Sequence, residues 1–194
     1  MATLPDPKKW ETLSSEYLFR RPWLTARRDT VKLPNGVVNP EFYVLEYPSW
    51  INVIAITKDG YFVMERQYRH GLGEVGTELC AGVVEEGEEP LEAAKRELYE
   101  ETGYVGGEWS RMCVISGNPS VTNNLTYCFL AVGVEQSGTR QLEATEDIVV
   151  RLFSEEEVWR MLVNDELKQA LMVAPLWKYF AMKRCADTPV TDTK

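Results

Sequence analysis

The segment from Glu89 to Gly103 is the part of the sequence whose folded form is most tightly constrained. Its apolar residues follow the three- and four-residue spacing of one helix face: Leu91, Ala94 and Leu98. Pro90 suits the first helical position, and Gly103 suits the left-handed residue that ends a helix. The sequence therefore predicts a helix with both ends defined.

This helix carries three carboxylates within about one and a half turns: Glu97, Glu100 and Glu101. Residues three and four apart are neighbours on a helix surface, so these oxygens can converge on one point. Like charges so placed cost roughly 0.2–0.5 kcal/mol per pair unless a cation lies between them. Arg96 can hold Glu100 by a charge-assisted hydrogen bond. Taken alone, the helix also fits a Glu-rich surface that only promotes solubility.

Strands are predicted on both sides of this helix, because β-branched and aromatic runs are bounded there by turn residues. The strands are a hairpin over 30–38, a strand at 41–46, a hairpin of 51–57 and 61–67, and strands at 112–115, 126–134 and 147–153. Ser154 and Glu157 form a capping box for a helix. A last helix runs from about 167 to 184, where Pro175 is expected to kink or restart it. This order predicts an α/β or α+β layered fold.

Charge and hydropathy exclude several classes of protein. The net charge of −9, without a basic stripe, argues against a nucleic-acid partner. No apolar run reaches membrane-spanning length, so we expect no membrane partner and a cytoplasmic location. The four cysteines form no C-x-x-C pair, which disfavours a zinc site and a disulfide framework and favours reduced thiols. An acidic chain that binds phosphate would use a divalent cation held by carboxylates.

Residues upstream of the helix complete a spaced signature. Gly82, Glu88, Arg96-Glu97-Leu98, Glu100-Glu101 and Gly103 stand at the spacings of the Nudix box. Chance agreement has odds on the order of one in 10⁸ per start position. By this resemblance the chain is identified as a member of the Nudix hydrolases. Tyr104 follows Gly103 where the family usually has an aliphatic residue, at a position expected to pack in the core.

The resemblance implies an α/β/α Nudix sandwich that holds Mg²⁺, with Mn²⁺ as the alternative ion. The implied metal ligands are the backbone carbonyl of Ala81 and the carboxylates of Glu97, Glu100 and Glu101. Glu100 is a ligand or holds a water molecule. The same resemblance makes Arg96 the residue that orients these carboxylates, and Glu88 its support.

Two stretches before the box suggest the substrate. Glu65–Arg69 and Glu78–Gly82 resemble stretches of the ADP-ribose and GDP-mannose pyrophosphatases, with Cys80 in place of the usual proline. Pro119, fifteen residues after Tyr104, matches a proline of the ADP-ribose enzymes. The resemblance implies hydrolysis of ADP-ribose to AMP and ribose 5-phosphate. GDP-mannose or another nucleotide sugar is the alternative substrate. A nucleotide-sensing module without turnover is an alternative of another class, which the intact set of charged box residues disfavours.

Substrate contacts are expected outside the box. Arg66 and Arg69 can clamp phosphate oxygens, unless they are only solvated surface charges. Glu78 can contact the ribose or adenine, or can pair with an arginine. Trp23 and Trp50 are the candidate platforms for base stacking, with core or interface packing as the alternative for each.

The general base is expected to be a glutamate, because the sequence has one histidine, His70, and it lies in a predicted loop. Family resemblance points to the loop before the strand at 147–153, which contains Glu143 and Glu146. Glu146 is preferred because it leads directly into that strand.

Three regions are expected along the chain. Residues 1–47 form a β-rich subdomain for dimerisation and base stacking, 48–187 form the Nudix domain, and 188–194 form a flexible tail. The resemblance implies a homodimer whose two chains share each active site. Four aromatic residues are expected in the core: Phe129, Trp159, Trp177 and Tyr179.

Overall fold

The computed structural model describes residues 6–21, 23–142 and 144–187. The chain forms two compact units. The first contains the chain up to Tyr47 together with the later segment Asn118–Asn124, and the second contains Pro48–Gly117 and the chain from Leu125 onward. The candidate base Glu143 and the expected tail at 188–194 lie outside the described residues.

The first unit contains a three-stranded antiparallel sheet formed by β1 (Glu11–Arg21), β2 (Leu24–Lys32) and β3 (Val38–Glu46). The hairpin predicted around Pro34-Asn35-Gly36 joins β2 to β3. The turn closes through a bond from the Gly36 amide to the Leu33 carbonyl, with Gly36 at a φ of 87°. The predicted strand at 41–46 is not separate, because it continues the second arm of this hairpin.

The second unit contains a six-stranded sheet in the order β7-β8-β4-β6-β5-β9. Its strands are β4 (Trp50–Thr57), β5 (Phe62–Arg69), β6 (Glu74–Val83), β7 (Tyr104–Ile115), β8 (Thr126–Gln136) and β9 (Val149–Phe153). The pair β4–β8 is parallel and the other neighbours are antiparallel.

Three strands differ from the sequence-based expectation, and β1 is one of them, since no strand was predicted before residue 30. β6 was not predicted, since Glu74, Gly76 and Glu78 interrupt its apolar pattern. β7 starts at Tyr104, well before the predicted 112–115. Its first half was not predicted because Gly106 and Gly107 have a low strand propensity. Both glycines have positive φ, and the register shift of β7 on β8 lies further along, between Arg111 and Cys113.

Three helices pack on this sheet. α1 (Pro90–Glu97) continues directly as a π-helical segment, Leu98–Thr102, and α2 (Glu155–Val163) and α3 (Ala170–Asp187) follow β9. The predicted capping box of α2 is confirmed: Ser154 Oγ accepts from the Glu157 amide at 3.3 Å, and the Glu157 carboxylate accepts from the Ser154 amide at 2.7 Å. α3 passes through Pro175 without restarting and begins at Ala170, later than predicted.

Alternation along β4 places helices on both faces of the sheet. Ile51, Val53 and Ala55 share a buried cluster with residues of α1, whereas Ile54 and Ile56 share another with residues of α2 and α3. The expected α/β/α sandwich is therefore confirmed for this unit. Tyr104, 8 % exposed, belongs to the cluster on the α1 side, so it packs in the core as expected.

Most of the expected core aromatics are buried, but one is not. Phe129 is buried and Trp159 and Tyr179 are half-buried, whereas Trp177 is 43 % exposed and meets Trp159 edge-on. The expectation for Trp177 was wrong because α3 is apolar nearly all round, so its sequence does not mark the buried face. The four cysteines are free thiols, as predicted. Among the described helices, none is both long and apolar enough to cross a membrane.

Candidate active site

Strand β6 and helix α1 come into direct contact at Gly82 and Glu97. A Cβ atom on Gly82 would overlap the carboxyl carbon of Glu97 and one of its oxygens. The Glu97 side chain is 13 % exposed, so it has little freedom to move away. The first glycine of the signature is thus required because it leaves room for the carboxylate.

Arg96 joins three glutamates of the signature. Its Nε and Nη2 atoms donate to the two carboxylate oxygens of Glu88 at 3.0 and 2.9 Å. Its Nη1 atom donates to Glu97 at 2.9 Å and to Glu100 at 3.1 Å, and Nη2 also reaches the carbonyl of Val83 at 3.0 Å. These bonds raise the pKa of Arg96 and lower that of Glu88. Arg96 therefore remains a fixed cation that orients its neighbours.

The helix widens after Glu97, which changes the carboxylate geometry expected from α-helical spacing. The π-helical segment turns Glu101 inward, where it is 5 % exposed and accepts from the Ala81 amide at 3.4 Å. Glu100 stays half-exposed beside Arg96. Gly103 ends the segment in the left-handed conformation, with a φ of 77°. A π-turn within a helix commonly marks a functional site.

The carboxylates facing β6 form a concentration of negative charge. Burial raises the pKa of Glu97 and raises that of Glu101 to about 7. Repulsion from the charge of Glu146 contributes to both shifts. Partly buried carboxylates that repel one another form a set of hard oxygen donors, and a divalent cation fits such a set.

The loop that carries Glu146 is fixed to the end of the helix. The Gln141 amide donates to the Glu100 carbonyl at 2.8 Å, and the Ser137 amide donates to the Gly103 carbonyl at 3.1 Å. Arg140 donates to the carbonyl of Ile148 at 2.7 Å, which closes the loop on itself. These bonds bring a segment far along the chain next to the end of the helix.

The two arginines expected to clamp phosphate are not brought together. Arg69 donates to both oxygens of Glu78 at 3.0 Å, with a further bond at 2.5 Å. Arg66 is exposed, and its odd separation from Arg69 along β5 directs the two side chains to opposite faces of the strand. Of the two interpretations of Glu78, the arginine pair is the one present in the structure.

A cavity of about 320 Å³ is lined by Ala81 and Gly82, the β6 residues that contact Glu101 and Glu97. Trp50 and Arg69 line it, as do residues that carry no sequence signal: Asn52, Gln169 and Leu171. Arg69 and Gln169 also line a neighbouring cavity of about 740 Å³, which includes His70 and Glu78. Trp23 belongs to the other unit, where it is 77 % exposed between β1 and β2.

Glu65 is a residue of this region that the sequence analysis did not single out. It is 0 % exposed, and neither of its carboxylate oxygens has a hydrogen-bond partner among the described residues. Burial, reinforced by Glu101 and Glu78, raises its pKa well above the ordinary value. The available signal was a glutamate that directly follows the buried apolar run of Phe62, Val63 and Met64.

Comparison with known proteins agrees with this geometry. A family model described as the NUDIX domain matches residues 47–174, and one described as the nucleoside diphosphate sugar hydrolase N-terminal domain matches residues 10–45. The chain is similar to an ADP-ribose pyrophosphatase of Mycobacterium tuberculosis (strain ATCC 25618 / H37Rv), with 30 % identity over 94 % of this chain and 92 % of that protein.

Two further proteins extend the comparison. An ADP-ribose pyrophosphatase of Bacillus subtilis (strain 168) is 28 % identical over 82 % of this chain and 86 % of its own. A solved structure described as an ADP compounds hydrolase superposes with a TM-score of 0.82, covering 94 % of this chain and 98 % of its own at 19 % identity. The latter likeness concerns the fold.

Proposed function

Since this chain belongs to the NUDIX domain family, we propose that it is a divalent-metal-dependent hydrolase that cleaves ADP-ribose to AMP and ribose 5-phosphate. The observation that carries this proposal is the set of partly buried carboxylates at β6, in which Arg96 holds Glu97 and Glu100 and the Ala81 amide holds Glu101. Relatives named ADP-ribose pyrophosphatase, matched over most of the chain, support the substrate class.

The metal would be held by the carbonyl of Ala81 with the carboxylates of Glu97, Glu100 and Glu101, and we assign it as Mg²⁺. A bound divalent ion neutralises phosphate charge and lowers the pKa of a coordinated water molecule. Arg96 fixes the orientation of Glu97 and Glu100 through the bonds described above. Gly82 leaves the space in which Glu97 stands.

Glu146 is proposed as the general base that accepts the proton of the attacking water molecule. Its loop is tied to the end of the helix that carries Glu101, which supports this assignment.

Arg69 is proposed to bind phosphate oxygens, because it lines both cavities. Glu78 accepts from its Nε atom and so fixes the orientation of the guanidinium group. Trp50 lines the smaller cavity and is the proposed surface for the base in this unit. Arg66 is exposed on β5, so we propose that it attracts the phosphate charge of the substrate without contacting it directly.

The first unit is proposed to serve dimerisation, with Trp23 stacking on the base of a nucleotide bound by the other chain of a homodimer. The indole ring of Trp23 is large and exposed, and only a partner chain or a ligand could bury it, which supports this role. Residues 10–45 match a family model described as an N-terminal domain of nucleoside diphosphate sugar hydrolases, which supports the same role.

The experiment that tests the function is a substrate panel with Mg²⁺ and with chelator. ADP-ribose, GDP-mannose, other nucleotide sugars, dinucleotides and nucleoside triphosphates are compared, and AMP and ribose 5-phosphate are identified among the products. Chelator-sensitive cleavage of ADP-ribose with the highest kcat/KM is the expected result.

Other outcomes would change the proposal. Preference for GDP-mannose would contradict the substrate while leaving the same metal and carboxylates in use. Binding of a nucleotide without turnover of any compound would overturn the hydrolase assignment and favour a sensing module.

A further inference from the structure

The buried carboxylate of Glu65 lacks a compensating group. Its side chain continues the apolar run of β5 into the space between the sheet and the end of the helix, and it is 0 % exposed. No described N–H or O–H group donates to either oxygen, and the group that interacts with this carboxylate is the carboxyl of Glu101. A carboxylate removed from water in this way is strongly unfavourable unless a proton or a cation neutralises it.

Two further ligand groups surround this carboxylate. Ligand atoms of Glu65, Cys80 and Glu101 all lie within 4.8 Å of one another, and all three residues are buried. Arg69, four residues further along the same strand, is bound to Glu78 through both carboxylate oxygens. The cluster therefore holds two carboxylates and a thiol, without a cation of its own among these residues.

We propose that Glu65, Cys80 and Glu101 form a sulfur-containing site for one thiophilic divalent ion, with Zn²⁺ and Co²⁺ as the ions that it binds best. Binding replaces the thiol proton of Cys80, which is released to solvent, with a metal–sulfur bond, so the cysteine acts as a thiolate ligand. Each glutamate supplies one carboxylate oxygen. No oxidation or reduction accompanies this exchange.

The geometry allows this arrangement with small side-chain rotations. Ligand atoms around a tetrahedral zinc ion are roughly 3.3–3.8 Å apart, given metal–sulfur and metal–oxygen distances of about 2.3 and 2.1 Å. The observed limit of 4.8 Å is about 1 Å longer, a difference that carboxylate rotation can close. Soft thiolate ligands select such ions over Mg²⁺, which prefers an all-oxygen octahedron.

The site differs from the proposed magnesium site in its ligands, although Glu101 is common to both. One oxygen of Glu101 accepts a hydrogen bond from the Ala81 amide. A carboxylate oxygen of Glu101 also lies within 4.8 Å of the Cys80 sulfur. Sequence spacing gave no sign of it, because its ligands come from β5, β6 and the π-helical segment. The inference does not depend on which nucleotide sugar the enzyme hydrolyses.

The test uses the full-length protein stripped of metal and equilibrated with Co²⁺ in the presence of excess Mg²⁺. A thiolate-to-Co²⁺ charge-transfer band in the near ultraviolet is expected, with one Co²⁺ bound per chain by elemental analysis. Cys80→Ser should remove the band, and Glu65→Gln should weaken Co²⁺ binding at least about 10-fold. Cys113→Ser is the matched control, because Cys113 lies outside the cluster, and it should leave the band unchanged.

Several results would overturn the proposal. Absence of the band from the wild-type protein would indicate that Glu65 and Glu101 share a proton instead of binding a metal ion. A band that survives Cys80→Ser, or Co²⁺ affinity unchanged in Glu65→Gln, would place the ion elsewhere. Melting temperatures establish that each variant is folded. Because the readout needs no substrate, failure here leaves the hydrolase assignment intact, and an inactive protein can still show the band.

Discussion

Gly82 and Glu97 interlock: the glycine of β6 leaves the volume that the carboxylate of α1 occupies, and a methyl group at Gly82 would overlap that carboxylate. Gly82→Ala is therefore expected to displace Glu97 and to lower kcat at least about 10-fold, as displacement of metal-ligating groups does. The measurement is steady-state hydrolysis of ADP-ribose with Mg²⁺. Gly71→Ala is the matched control, because a Cβ there meets no atom within 4 Å. Equal rates in the two variants would contradict the steric account.

Glu97→Gln and Glu101→Gln are expected to reduce kcat more than about 100-fold while the fold is retained, because each substitution removes a proposed metal ligand. Mg²⁺ should raise the melting temperature of the wild-type protein, since a ligand that binds the native state stabilises it. That rise should be smaller in both variants. Near-normal turnover in both would refute the assignment of these glutamates.

Arg96→Ala is expected to lower kcat about 10- to 100-fold, because Glu97 and Glu100 lose the guanidinium that orients them. Arg96→Lys should recover part of the loss, since one ammonium group cannot reproduce the fork that binds Glu88. The readout that separates positioning from folding is Mg²⁺ affinity by titration calorimetry. Unchanged Mg²⁺ affinity in Arg96→Ala would show that the network does not position the ligands.

Trp23→Ala is expected to raise KM for ADP-ribose about 5- to 150-fold with little change in kcat, which corresponds to the roughly 1–3 kcal/mol of one stacked base. Steady-state kinetics give both constants. Trp10→Ala is a control on another exposed tryptophan of the same unit. A KM that is unaffected by Trp23→Ala, or equally affected by Trp10→Ala, would assign Trp23 no part in base binding.

Ser154→Ala is expected to destabilise the protein by about 1 kcal/mol, because the Glu157 amide loses its side-chain acceptor at the start of α2. Chemical denaturation measures the change, and Ser154→Thr should recover most of the stability. Activity at a temperature well below the transition should stay normal, since α2 does not carry the proposed site. A loss below about 0.3 kcal/mol would mean that water replaces the cap.

Much of the second unit could be predicted from periodicity. The helix ends at Pro90 and Gly103, the strand of buried residues at 126–134 and the capping box at Ser154 all follow from local rules that act within a few residues. β1 and β6 escaped those rules, because β1 is exposed along its whole length and polar residues interrupt the apolar pattern of β6. Trp177 was misplaced for a related reason, since an evenly apolar helix does not show which face a sheet will cover.

The sequence by itself determined the family, the box and the identity of the charged residues, because each is carried by residues at fixed short spacings. Tertiary structure decided which of these groups meet. It separated Arg66 from Arg69, paired Arg69 with Glu78, widened the helix so that Glu101 turns inward, and buried Glu65 beside Cys80. The physical reason is that strand pairing and helix packing set distances between residues far apart in the chain, and charge and burial act through those distances.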